Sequence, residues 1–151
     1  MNAIPLKDNE PSGLDQIRAL RDGTSDWRGI AHLMSFRPIE VEDGFVAFEG
    51  NPGREVYNPI GSVHGGYAAT LLDSACACAV HSQLTAQQAY TTLDLNVSFH
   101  KGMTRRTGLV RAEGSVKSLG KRVAFAQASL TDPEGRLLAS ATSTLLIFER
   151  G

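Results

Sequence analysis

Cysteine is nearly absent from the chain, which has only Cys76 and Cys78, and there is a single tryptophan, Trp27. Two residues apart, the thiols would point about 200° from each other on a helix, so they are poor partners for a mutual disulfide. We read them as small buried hydrophobes. Free thiols suit a reducing compartment, and a cytoplasmic protein is expected. A structural metal site needs more soft ligands nearby, and only His81 is close, while His32 and His100 are scattered over other elements. No metal site is therefore expected. Charge of one sign is also lacking: the formal net charge is -1 and the pI about 6.4. Only short basic pairs occur, so no nucleic-acid partner is expected. No basic segment followed by an apolar stretch opens the chain, which argues against a signal peptide. The apolar run from Tyr67 to Val80 is broken by Asp73 and is too short to span a bilayer, so no membrane partner is expected.

What is present fits one domain around one core: 151 residues, 42% hydrophobic and 21% charged. The first twelve residues are polar, carry Pro5 and Pro11, and read as a loose arm. Ser12 can cap a short helix with Asp15 in its first turn, Leu14, Ile17 and Leu20 recur at helical spacing, and Gly23 ends it. We place the arm with its short helix at residues 1–26 and a single domain at 27–151, the latter opening with a helical piece over Trp27 to Leu33.

From Phe36 to Glu49 the pattern turns to strand, with Ile39 and Val41 alternating with polar residues and Glu42-Asp43-Gly44 as a turn. After a loop over residues 51–60 comes an apolar helix, placed at about 65–84. Four strand candidates follow. Leu93, Leu95, Val97 and Phe99 alternate with Asp94, Asn96 and Ser98; the others run from Val110, from Val123 to Leu130, and from Leu137 to Phe148. Gly120 marks one turn and Asp132-Pro133-Glu134-Gly135 another. Two strands, one long helix and four strands make an α+β architecture. A helix that is apolar nearly all round needs cover on most sides, and one curved antiparallel sheet wrapped around it supplies that cover.

The chemistry concentrates in NPIGSVHGGYAATLLDSACACAVH, residues 58–81. The first turn of a helix has backbone N–H groups without intrahelical partners, and the helix dipole places partial positive charge there. Gly65 and Gly66 let a ligand approach that backbone closely. Such a place suits a carbonyl oxygen that becomes negative during acyl transfer. Asp73 interrupts an otherwise apolar helix, and a buried carboxylate has to be partnered, neutral or functional. Nine residues from His64, it lies about 13 Å further along the axis, so one site cannot readily use both from one chain. Two antiparallel helices from two chains could face each N-terminus with the other's Asp73, which points to a two-fold dimer.

These residues resemble those of hotdog-fold acyl-CoA thioesterases of the PaaI type, a group related to human thioesterase superfamily member 2. The shared pattern is Asn58, then Gly61-Ser62-Val63-His64-Gly65-Gly66, then Asp73, and it continues through YTTLDLNVSFHKGM and LTDPEGRLLASATSTLLIF. The resemblance covers roughly residues 30–148 and implies the hotdog fold, a curved antiparallel sheet wrapped around one long central helix. It implies that the Gly65 N–H polarises a thioester carbonyl, that Asn58 and His64 line that end, and that Gly66 lies with them against the substrate. It implies that Asp73 of the neighbouring subunit is general base or nucleophile, and that the Thr92 hydroxyl helps to place the water. Ala77 stands where Glu-type relatives carry a Thr, so this chain follows the Asp branch. The substrate implied is an acyl-CoA with an aromatic or medium-chain acyl group, and CoA enters as part of the substrate rather than as a cofactor. Arg105, Arg106, Lys121 and Arg122 are cations available to its phosphates. The assembly implied is a homodimer that pairs into a homotetramer.

Two alternatives stand beside this. A hotdog enoyl-CoA hydratase or dehydratase would show Asp-x-Asn-Pro-x-His, whereas position 56 is Val and four residues separate Pro59 from His64. A non-catalytic acyl-CoA-binding domain would have no use for Asp73, and no helix-turn-helix segment is legible that would couple a ligand to DNA.

Overall fold

The computed structural model describes residues 10–26 and 28–151; the arm before residue 10 and Trp27, with the start of the second helical piece, lie outside them. Ser12 caps α1 (Gly13–Arg21) by accepting from the Asp15 N–H, and Asp22 and Gly23 end it. Ile17 carries the helix into the core, and Gly13 donates its N–H to the Leu84 carbonyl, 3.0 Å away. α2 is a short turn at Ile30–Leu33.

β1 (Phe36–Glu42) and β2 (Phe45–Gly50) form a hairpin through Gly44, at φ +78°. The expected Ile39–Val41 alternation is broken by a bulge between Pro38 and Glu40, which turns Pro38 and Val41 inward. Proline has no N–H to give to a ladder, and a bulge is one of the few places in a strand that tolerates it. α3 runs from Gly65 to His81. It stops short of residue 84 because the Ser82 hydroxyl donates to the Ala79 carbonyl and accepts from the Gly44 N–H, which fixes the helix end to the β1–β2 turn.

β3 (Gln88–Phe99), β4 (Val110–Leu119), β5 (Val123–Thr131) and β6 (Leu137–Glu149) follow. The six strands form one antiparallel sheet in the order β1-β2-β4-β5-β6-β3. β3 therefore pairs with β6 and not with its sequence neighbour β4, and no strand among the described residues pairs with its other edge. A bulge between Thr92 and Asp94 shifts the strand's phase, so Leu95 and Val97 turn toward the core while Leu93 is more than half exposed; Phe99, in phase with Leu95 and Val97 at the strand's end, is more than half exposed as well.

The sheet curls around α3, whose buried residues include Tyr67, Leu71, Leu72, Ala75, Cys76 and Val80. The closest approach is at Gly114 of β4, where a Cβ would lie 2.1 Å from the Ala75 carbonyl oxygen. Only glycine leaves room for the helix backbone there. Overpacking of this kind costs about 1–3 kcal/mol. Gly114→Ala is expected to lower the melting temperature by about 3–10 °C. Gly102→Ala, whose added Cβ meets nothing within 4 Å, is expected to leave it unchanged.

Both cysteines are free, and burial, with the Asp73 charge adding to it, pushes their thiols up to about 12. Neither is a ready nucleophile. At pH 8 iodoacetamide should alkylate them at least ~100-fold more slowly in the folded protein than in urea, as read by mass spectrometry. Equal rates would contradict this placement.

Candidate active site

The loop ahead of α3 is shaped by Asn58. Its carboxamide oxygen accepts from the Ser62 N–H (3.1 Å), its NH2 donates to Ser62 Oγ (3.0 Å), and its backbone exchanges bonds with Ser62 and Gly61. Gly61 takes φ +87°, the conformation that lets the turn close. The next residues are tied down on both sides: Val63 N–H donates to the Met103 carbonyl (2.9 Å) and His64 N–H to the Val56 carbonyl (2.8 Å).

His64 is the N-cap of α3, and its Nδ1 accepts from the Gly66 N–H at 2.8 Å. That bond requires a lone pair on Nδ1, so a neutral ring carries its proton on Nε2. The cap engages the Gly66 donor, and the Tyr67 N–H donates to the His64 carbonyl (2.9 Å). The Gly65 N–H meets no acceptor among the described residues. Gly65 lines a cleft of about 280 Å³ with Val63, Ala68, Phe99, Met103 and Leu138. A Cβ at residue 65 would stand 3.1 Å from the Phe99 ring, so glycine keeps the donor open.

Asp73 lies eight residues further along the same helix, half-buried. The Thr92 hydroxyl donates to its Oδ1 at 3.0 Å. The bulge just after Thr92 is what breaks the strand's regular phase at this point. The carboxylate is thus held by one hydroxyl, and a hydrogen bond to a charged group is worth about 1.5–3 kcal/mol. Its charge, after burial itself, adds to the upward push on the Tyr90 phenol. From Gly65 to Asp73 is about 12 Å along the axis and about 80° around it. Within one chain the structure joins Asp73 to Thr92 and sets the capping His64 beside Gly65, but it does not join these two groups, and the Asn58 carboxamide is engaged with Ser62.

The four expected cations also divide. Arg105 and Arg106 lie on a 3-10 turn (Arg105–Thr107) between β3 and β4, whereas Lys121 and Arg122 occupy the β4–β5 turn at the far end of β4. Arg105 and Arg106 share a cleft of about 570 Å³ with Tyr57, Thr104 and Arg54. Arg54 had no legible signal: it sits in a loop some fifty residues before the pair it joins. Among the described residues no three His, Cys, Asp or Glu side chains stand close enough to hold a metal ion, and no helix is long and apolar enough to cross a membrane.

Comparison with known proteins agrees with this architecture. The 1,4-dihydroxy-2-naphthoyl-CoA hydrolase of Listeria monocytogenes is 22% identical over 119 residues, covering 79% of this chain and 95% of that one. A Halobacterium salinarum protein described as a candidate esterase is 41% identical over 75 residues, and that alignment spans 48% of each chain. The Escherichia coli PaaI protein from the phenylacetic acid degradation operon superposes with a TM-score of 0.78 at 18% identity, covering 91% of this chain and 96% of that one, which shows a shared hotdog fold. The family model of the thioesterase superfamily matches residues 60–139, more than half of the sequence and the whole of α3 with its N-terminal approach. The chain belongs to the thioesterase superfamily.

Proposed function

We propose that the protein hydrolyses an acyl-CoA thioester to a carboxylate and free CoA, at sites shared between two copies of the chain. The observation that carries this reading is the division of α3 into two half-sites: an unused N–H at Gly65 and a hydroxyl-held carboxylate at Asp73. The thioester carbonyl oxygen accepts from the Gly65 N–H, where the helix dipole favours the charge that develops on it. Asp73 of the other copy takes a proton from water as that water attacks the carbonyl carbon. The tetrahedral intermediate collapses, the C–S bond breaks, and the CoA sulfur leaves and regains a proton. The Thr92 bond fixes Oδ1 of Asp73 and leaves Oδ2 to face the water. The reaction so written invokes no metal and no redox cofactor.

The free edge of β3 supports the shared site. Phe99 lies against Gly65 and Thr92 against Asp73, so the two half-sites stand at separate points along this strand, one at its end and one near its middle. A second β3 paired antiparallel about a two-fold axis midway between Thr92 and Phe99 brings each Gly65 toward the other copy's Asp73. It also covers the free backbone edge and the exposed Leu93 and Phe99. Phe125 and Phe148, exposed on the face turned away from α3, are apolar surface for a second dimer.

An apolar acyl group has a place beside Asp73. A cleft of about 810 Å³ between α1 and α3 is lined by Ile17, Leu20, Phe36, Phe48 and Tyr90, with Ser74, the neighbour of Asp73, on its wall. That lining suits an aromatic or medium-chain acyl group.

A thiol-release assay over aromatic and aliphatic acyl-CoAs tests the reading. Phenylacetyl-CoA or octanoyl-CoA should turn over faster than acetyl-CoA. Asp73→Asn should lower kcat at least ~100-fold with an unchanged melting curve. Thr92→Val should lower it about tenfold, the scale of one lost hydrogen bond to a carboxylate. Full activity in a folded Asp73→Asn protein would overturn the assignment. Loss of crotonyl-CoA absorbance without thiol release would show hydration instead.

A further inference from the structure

We infer that the ring pair His81–Tyr90 is the floor of the cleft between α1 and α3 and sets the length of acyl group that the site accepts. The inference rests on the acyl-CoA reading above and adds the residues that measure the acyl group. Ser74, Cys78 and His81 follow one another at four and then three residues, so they share one face of α3, and all three line the cleft. Counted from Asp73, they lie about 1.5, 7.5 and 12 Å further along the helix axis. The cleft therefore runs along α3 away from the reacting carboxylate, with His81 at its far end. Ile17 and Leu20 of α1 and Phe36 and Phe48 of the hairpin supply apolar walls along the way. An extended chain advances about 1.2 Å per bond, so the run from Asp73 to His81 takes about ten carbons.

The far end is a stop rather than an opening. The His81 and Tyr90 rings are in contact, their centroids 5.3 Å apart and their planes tilted by 55°, so together they join α3 to β3. Behind His81 lies backbone: a Cβ on Gly13 would overlap both the His81 carbonyl and its ring, and the Gly13 N–H is bonded to the Leu84 carbonyl. α1 thus begins hard against His81, and the ring has no room to retreat on that side. Burial, with the Arg150 charge adding to it, holds the His81 imidazole below its ordinary value, so the ring is uncharged near neutral pH and hydrocarbon can lie against it. Midway along, Cys78 is a small side chain, which leaves the cleft open down to this floor.

The test measures kcat/KM for straight-chain acyl-CoAs, from butanoyl to hexadecanoyl, in the wild type and in His81→Ala, Tyr90→Ala and Cys78→Phe. In the wild type kcat/KM should rise as far as decanoyl-CoA and fall at least about tenfold by tetradecanoyl-CoA, the scale of forcing extra methylenes into filled space. His81→Ala and Tyr90→Ala should each lengthen the best substrate by about two to four carbons, the reach of the ring removed. Cys78→Phe, which sets a ring across the cleft halfway to the floor, should shorten it to about six carbons. Butanoyl-CoA reaches neither ring, so all three variants should hydrolyse it within about twofold of the wild type. A variant that was merely damaged would lower every chain length alike. An unmoved length limit in variants with the wild-type melting curve overturns the inference, as does a wild type that takes tetradecanoyl-CoA as well as decanoyl-CoA. Should one ring variant fail to fold, the other carries the measurement, and Cys78→Phe moves the limit the opposite way. If no straight-chain acyl-CoA is hydrolysed, the hydrolase reading is judged by its own assay and the floor by calorimetric titration with fatty acids from hexanoate to tetradecanoate. A Kd that stops tightening near decanoate in the wild type, and later in the ring variants, supports the floor; the same length dependence in all the proteins, or no binding, overturns it.

Discussion

The contact between α3 and β4 at Gly114 sets the depth at which the central helix lies in the sheet, and the site is built on that depth. With no Cβ between them, the Ala75 carbonyl approaches the strand backbone directly. The same helix is pinned at its far end by Ser82 and at its start by the cap from His64. Position along the axis then follows from helix geometry alone. Asp73 meets Thr92 near the middle of the edge strand, and Gly65 meets Phe99 at its end. A helix placed less deeply would keep its secondary structure and lose both meetings.

One helix has one positive end, and most of the donors there are already engaged. His64 takes the Gly66 N–H and the His64 carbonyl takes the Tyr67 N–H, which leaves Gly65 as the open donor of the first turn. The capping histidine is therefore a device for selection as well as for stability. It satisfies the Gly66 donor and leaves that of Gly65, which lines the cleft. Asp73 cannot serve that donor from the same chain, because the rise of the helix holds them about 12 Å apart. On the proposed reading that separation calls for a second copy of the chain, and the edge of β3 left unpaired among the described residues is the surface the proposal assigns to it.

Local chemistry was legible in the sequence. The Ser12 cap, the Gly44 turn and the start of α3 at the His-Gly-Gly step all follow from residues within four positions of one another. The Thr92–Asp73 pair followed from a resemblance to a known family and not from spacing, since nineteen residues and a turn separate them. Long-range pairing was not legible. β3 joins β6, skipping the strand that follows it, because its partner is chosen by where the curled sheet closes over the helix. Bulges such as those at Pro38 and at Thr92 shift side chains that simple alternation assigns to one face. Arg54 joins Arg105 and Arg106 only through the fold.

The claim that two chains share each site is tested most directly by mixing two inactive variants. Asp73→Asn removes the carboxylate and keeps the N–H. Gly65→Pro removes the N–H and keeps the carboxylate; proline is well tolerated at the first position of a helix, His64 already has the extended backbone that precedes it comfortably, and the added Cβ asks only the exposed Phe99 ring, 3.1 Å away, to shift slightly. Refolded together in equal amounts, half of the dimers are mixed, and each mixed dimer has one site with both groups intact. The account predicts recovery of about a quarter of wild-type thiol release from two parents that are each nearly inactive. No recovery in a mixture shown by mass spectrometry to contain the mixed dimer would contradict it.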